Sequence, residues 1–513
     1  MTADASAATT GARVLRGGAW NFASRVIPQL YIAVLSVAAA RFLGPDDFGR
    51  QSFIAFTQIS VVLLLTAGIT EALVRFVGDS MGRGNRAATR GLLIWSTRVE
   101  FFAGLIGAAI LAAVGFAGAE PQAAWFLAAI TTVLNVSYAA FRAFLDGMQN
   151  WKLPAVVGLV VGAVGTAATV AVLAAGGGIV GMFAVEAAAA GVSLVVLGRI
   201  AIGEGRKLGV RPRVEPAYRR EVLRYALIAW TTSILSYVVW RRTELFFLEG
   251  FSSDDQIGFY SIAFTAATAL ALMFQSGATV MLPALATLHG AGQMDRVRSG
   301  FRRAQRLMVC MALPITAAAL AFGPASIELV YGQEYSAVSP VVVVLLLMTP
   351  LLPLVTLSAS LLAALGMLRP MLTWELIASV VNVCIAFLLI PELEAVGAAI
   401  CNVSAQLVAG LPLLIIASRI VGSMDWRPRV TTRILAISVA AGVIGWALVT
   451  ALSGIAGLAA GAAASLITFV AGANSLKVIE ADDAEWLDGA VGHLLNGRVG
   501  RVLRLWTLPA SSR

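Results

Sequence analysis

A chain of 513 residues with 59% apolar side chains and only 13% charged ones lacks the polar surface of a soluble domain, which carries about 25% charged residues; a large soluble enzyme is excluded. At about 20 apolar residues per crossing, its roughly 300 hydrophobic residues suffice for up to about fifteen membrane spans. The net charge of +9 matches the positive-inside bias of multispanning proteins and calls for no nucleic-acid partner.

The polar N-terminus, with Arg13 and Arg16, precedes a stretch long enough to span and reads as a cytoplasmic leader rather than a cleaved signal. Apolar runs then predict spans over 17–42, 52–77, 91–117, 123–146, 154–175 and 180–198, which make an N-terminal six-helix lobe over 1–202. A charged cytoplasmic linker, 203–221, leads to spans over 222–248, 258–283, 305–323, 340–365, 371–390 and 396–418, a second six-helix lobe within 222–420. Two additional spans, 434–453 and 456–473, fall in the segment 421–475, before a cytoplasmic tail over 476–513. The predicted fold is an all-α polytopic membrane protein of about 14 transmembrane helices, with both termini on one side. Positive charge agrees: 28 of the 37 Lys and Arg residues fall in the terminal segments and connections on the N-terminal side, whereas the opposite loops hold only Arg41 and Arg50. The rule therefore puts both termini in the cytoplasm, and three lysines against 34 arginines, with abundant Ala and Gly, point to a GC-rich bacterial source.

Residues 46–56, DDFGRQSFIAF, are echoed by residues 254–264, DDQIGFYSIAF, and both copies straddle the loop between the first two spans of a lobe. Because each lobe has an even number of spans, the two enter the membrane in the same sense and form a parallel pseudo-repeat, an architecture of alternating-access carriers.

Candidates for catalysis are few. No glycine-rich nucleotide loop of the right spacing occurs, and His289 and His493 have no neighbouring carboxylate or cysteine. Cys310, Cys384 and Cys401 lie in apolar stretches with no paired spacing. No catalytic residue, metal site or cofactor is expected. The sequons at Asn135 and Asn402 fall inside spans and are set aside as glycosylation sites.

Polar residues inside spans are costly and carry the information. Asn21, Arg25 and Gln29 follow one another at helical spacing in span one, as do Asn135, Tyr138, Arg142 and Asp146 in span four. Span seven carries Ser233, Tyr237, Arg241 and Glu244, with Arg242 alongside, and span three carries Arg98. These stripes are expected to line a common cavity, where planar, permanently charged guanidinium groups suit phosphate or diphosphate oxygens. The competing reading is that carboxylates neutralise the arginines locally, Glu71 with Arg75 and Glu244 with Arg241. The membrane carboxylates Glu100, Glu186, Glu244 and Glu375 are candidates for proton or sodium coupling, or for partnering those arginines.

The segments GAWNFASRVIPQLYIAVLSVAAARFLGPDDFGRQSFIAF, RAFLDGMQNWKLPA, YVVWRRTELFFLEGFSSDDQIGFYSIAF, MLPALATLHGAGQMDRVRSGFRRAQRL and ELVYGQEYSAVSP together resemble the polysaccharide-biosynthesis branch of the MOP exporter superfamily, the O-antigen and oligosaccharide-lipid flippases. The resemblance spans about residues 15–420. It implies two six-helix lobes, a cationic central cavity and translocation of a lipid-diphosphate-linked oligosaccharide from the inner to the outer leaflet. It also implies association with membrane lipids and with glycan polymerases or glycosyltransferases. The alternatives are a lipid II-type flippase, which carries two extra C-terminal helices as this chain does, and a related drug/cation antiporter, which would want acidic cavity residues. A membrane glycan polymerase is disfavoured because no long outward loop exists. The WRRTE segment departs from relatives that carry one basic residue there, leaving both Arg241 and Arg242 as candidates.

Overall fold

The computed structural model describes the backbone of residues 2–422, 428–452, 454–478 and 506, and side chains over the same stretches apart from 2–26, 272–280, 283–284 and 428–429. The elements are α1 (Thr2–Gly82), α2 (Arg86–Phe116), α3 (Gln122–Gly147), α4 (Lys152–Ala174), α5 (Gly178–Lys207), α6 (Pro216–Trp240), α7 (Leu245–Phe251), α8 (Asp254–Gly290), α9 (Met294–Tyr331), α10 (Val338–Leu346), α11 (Leu352–Ala364), α12 (Leu368–Val421), α13 (Pro428–Leu452) and α14 (Gly454–Leu476). Among the described residues, ten helices have the length and apolarity to cross a membrane. Two of these are doubly long, because α1 breaks at Gly44 (φ 78°) and α12 breaks at Glu394 (φ 47°), so each supplies two of the expected spans. With α8 and the α10–α11 pair, the predicted crossings are all accounted for, and the chain is a multi-pass membrane protein.

Two spans read as continuous in the sequence are interrupted. The tenth divides into α10 and α11 around residues 347–351, where Pro350 removes a donor and its ring opposes the carbonyl one turn earlier. The seventh ends as α6 at Trp240, leaves residues 241–244 non-helical, and resumes as α7.

The chain forms two compact units, one of Met1–Val238 with Ser253–Gly258, the other of Val239–Ser252 with Phe259–Arg513. In the first, the segment of α1 before Gly44 lays Tyr31 against Gly162 of α4, and the segment after it packs Val61 and Leu65 against Gly107 of α2. Phe76, Leu92, Phe144 and Leu197 share one buried cluster there, and Ile54, Leu111, Trp125 and Phe183 another. In the second unit, Phe301, Leu357, Leu361 and Ala417 join α9, α11 and α12. The glycine-rich α13 and α14 close on each other, with Gly461 against the Gly445 carbonyl and the Ser465 hydroxyl donating to the Ala441 carbonyl at 2.6 Å, while Gly442 faces Ala317 of α9. Large apolar side chains such as Val164, Leu388, Ile455 and Leu466 stay exposed, as a helix bundle solvated by lipid requires.

Candidate functional site

In the second unit the break after α6 produces a buried polar centre. Residues 241–244 leave the helix, and Glu244 turns inward to become fully buried beside Tyr260 of α8 and Asn382 and Asn402 of α12. One carboxylate oxygen accepts from the Asn382 amide at 2.7 Å and the Asn402 amide at 3.2 Å, and the other accepts from the Tyr260 hydroxyl at 2.8 Å. The Asn402 amide also donates to the Arg241 carbonyl at 3.1 Å, which satisfies a backbone acceptor freed by the helix break. Gln406 donates to the Asn402 side-chain oxygen at 2.7 Å and fixes the orientation of that amide. The remaining side-chain oxygen of Asn382 is buried and has no hydrogen-bond partner among the described residues.

The ion pair between Arg241 and Glu244 that the competing reading offers is not among those of the described residues. The i, i+3 relation holds only on a continuous helix, and here the helix has ended. Arg241 is exposed, while Arg242 is partly buried with its guanidinium carbon 6.0 Å from the centre of the Phe264 ring. Glu244 is thus a membrane carboxylate held by amides and a phenol rather than by a cation. Among the described residues no group of three His, Cys, Asp or Glu side chains could hold a metal ion. The groups around it are amide N–H and hydroxyl donors, so the Glu244 carboxylate is the shared acceptor of this centre.

The other carboxylates behave differently. Glu100 is buried in α2, with Thr70 donating at a long 3.4 Å. Glu186 is exposed and accepts from Gln58 at 2.9 Å. Glu375 is partly buried, and its carbonyl accepts from the Ser379 hydroxyl.

Of the arginine stripes, Asn21 and Arg25 lie outside the residues whose side chains are described, and Gln29 is partly buried. On α3, Asn135 and Tyr138 are partly buried and Arg142 is exposed, 3.7 Å from Asp146 one turn on. That contact is long and partly solvent-accessible at both ends, so it contributes about 0–1 kcal/mol. Arg98 on α2 is exposed. Tyr237 stacks on Phe56 with ring centres 6.0 Å apart and shares a 2.6 Å hydrogen bond with Ser60.

The head of the second repeat copy, residues 254–258, belongs to the first unit and meets the first copy there. Arg50 donates from Nη2 at 2.6 Å and from Nε at 3.1 Å to one Asp254 oxygen. Gly49 is so close to the Asp254 carbonyl that a Cβ would stand 1.7 Å from its oxygen, and Gly258 lies against the Pro45 carbonyl.

With this geometry in place, comparison with known proteins gives a consistent picture. The family described as "Polysaccharide biosynthesis protein" matches residues 38–340, more than half of the chain. No curated protein sequence matches. Among solved structures, the lipid II flippase MurJ in an inward closed conformation superposes with a TM-score of 0.70 at 10% identity, covering 90% of this chain and 98% of that one. An inward-facing multidrug-resistance MATE transporter of the MOP superfamily gives 0.63 at 13% identity, over 79% and 99% of the two chains. The Vibrio cholerae MATE transporter VcmN gives 0.54 at 14% identity, over 80% and 98%. At these identities the likeness is one of fold.

Proposed function

Starting from the fact that this chain belongs to the polysaccharide biosynthesis protein family and has the fold of MOP transporters, we propose that it flips a lipid-diphosphate-linked oligosaccharide from the inner to the outer leaflet of the bacterial cytoplasmic membrane. Family and fold are those of flippases and transporters, not of enzymes. The observation that carries the substrate reading is that Arg98, Arg142 and Arg241 keep exposed guanidinium groups at membrane-span positions. Charge there is stable only against water or an anion, and a planar fork suits diphosphate oxygens. Arg25 and Arg242 are the further arginines proposed for anion binding, and Asn21, Gln29, Asn135, Tyr138 and Tyr237 the polar residues proposed to contribute. Glu244 is the residue proposed to carry the coupling proton or cation, ahead of Glu100, Glu186 and Glu375, because its three donors fix both carboxylate oxygens.

In cells depleted of the chain, lipid-linked oligosaccharide should accumulate in the inner leaflet, and the wild-type chain should clear it. An Arg142→Ala, Arg241→Ala double variant present at wild-type level loses two charge-assisted contacts and should restore less than about a tenth of export. Full export by that variant would remove both residues from the site. A second reading is favoured by the MurJ likeness, which covers 90% of this chain: the cargo is a peptidoglycan precursor. Depletion then stalls lipid II instead of the glycan precursor.

Orientation follows from the loop charges. Cysteine labelling from outside the cell should reach a cysteine placed at Asp46 and miss one at Arg211; equal labelling would contradict a layout with both termini cytoplasmic.

A further inference from the structure

A second polar seam lies wholly within the first unit, where α6 runs against the part of α1 that follows Gly44. The helices approach closely at Gly68, where a Cβ would stand 2.2 Å from the Ala226 carbonyl oxygen. On this seam the Tyr218 hydroxyl lies 3.2 Å from an Asp79 oxygen, and Glu71 accepts from the Ser233 hydroxyl at 3.2 Å. Glu71 was expected to neutralise Arg75 one turn away, and it does not. The Arg75 guanidinium carbon instead sits 4.4 Å from the centre of the Tyr225 ring and 5.5 Å from that of Phe76, and Tyr225 is itself set edge-on to Phe76. Among the described residues no carboxylate lies within ion-pairing distance of Arg75, which is exposed.

Stacking on an aromatic face occupies the flat side of a guanidinium and holds it in one plane. Its N–H donors radiate from the edge of that plane and are left for another partner. A permanent charge fixed by rings, with Glu71 and Asp79 one turn away on either side but neither in ion-pairing contact, is stabilised by an incoming anion, and the fork geometry selects planar or tetrahedral oxyanions that accept two parallel hydrogen bonds. Residue 75 stands two turns from the Gly82 end of α1, so on the orientation proposed above the site lies at the depth of the inner-leaflet headgroups.

We propose that Arg75, held over the Tyr225 ring, is a phosphate-oxyanion site. It would receive the diphosphate of the lipid-linked substrate as that substrate leaves the inner leaflet. The proposal rests on the flippase reading and deepens it. The same chemistry is offered by the headgroup of an anionic phospholipid, so the experiment separates the two sources.

The test uses the full chain in phosphatidylcholine nanodiscs and measures binding of farnesyl diphosphate, a soluble isoprenyl diphosphate, and separately of phosphatidylglycerol. Arg75→Ala should weaken diphosphate binding by about tenfold or more, Arg75→Lys by less, since charge remains without the fork. Tyr225→Leu should weaken it about three- to fivefold and Tyr225→Phe hardly at all, because the ring and not the hydroxyl is the platform. A loss confined to farnesyl diphosphate assigns the site to the substrate, and a loss confined to phosphatidylglycerol assigns it to a bilayer lipid; both support an oxyanion site. Unchanged binding of both probes in an Arg75→Ala chain that melts as wild type overturns it. If the wild-type chain binds no farnesyl diphosphate at all, the flippase reading is what fails, and the phosphatidylglycerol arm still decides the site.

Discussion

Replacing Glu244 with alanine should strip the second unit of its polar centre and sharply lower the amount of folded protein. Three donors, the amides of Asn382 and Asn402 and the hydroxyl of Tyr260, converge on this carboxylate in a fully buried setting. A buried donor left without an acceptor costs about 1–3 kcal/mol, so removing the shared acceptor should cost about 3 kcal/mol or more. Glu244→Gln keeps the shape and one oxygen, and the Tyr260 hydroxyl can turn to accept from the new amide. That variant should therefore melt close to wild type while losing the charge to which the coupling role is assigned in the proposal. The measurements are the melting temperature of the purified chain and the dependence of export on pH and on a sodium gradient. An alanine variant melting within a degree of wild type would show that the cluster does not hold the unit together. A glutamine variant with unaltered pH and sodium dependence would remove Glu244 from the coupling role.

That centre also marks the limit of what the sequence shows. Hydrophobic runs and loop charges give the number and order of crossings because both depend only on composition over about twenty residues. Spacing rules for single pairs presume an unbroken helix and no competing neighbour. Glu244 and Arg241 fail the first condition, since α6 stops at Trp240, and Glu71 and Arg75 fail the second, since Ser233 and Tyr225 on α6 intercept them. Spacing rules do not single out Asn382, Asn402 or Tyr260 as site residues. Asn402 reads as a sequon, yet an asparagine inside a span is itself a signal: a buried amide needs a partner, and this one has Glu244. The likeness between 46–56 and 254–264 is legible in one dimension, but their mutual contact is not, because it depends on how close two backbones come.

That contact yields the other large expected effect. At Gly49 any side chain must displace main chain, since its Cβ would stand 1.7 Å from the Asp254 oxygen and 2.6 Å from the carbonyl carbon. No flexible side chain is there to give way. Gly49→Ala should therefore force the head of α8 off α1 and take the Arg50–Asp254 pair with it, at the upper end of the roughly 1–3 kcal/mol typical of overpacking. The ion pair alone is worth much less: both partners are partly exposed, so Arg50→Ala should cost about 0–1 kcal/mol. Gly44 supplies the contrast, because its φ of 78° strains any other residue but nothing lies within 4 Å of its Cβ position, and Gly44→Ala should cost about 1 kcal/mol. The predicted order of damage is Gly49, then Gly44, then Arg50. It can be read from the melting temperatures of the three purified variants, and from disulfide formation in an Arg50→Cys, Asp254→Cys chain with and without Gly49→Ala. The close approach requires cross-linking in the first background and its loss in the second. Equal cross-linking in both, with wild-type melting, would mean that the backbone yields at this point and that glycine is not what holds the two repeat copies together.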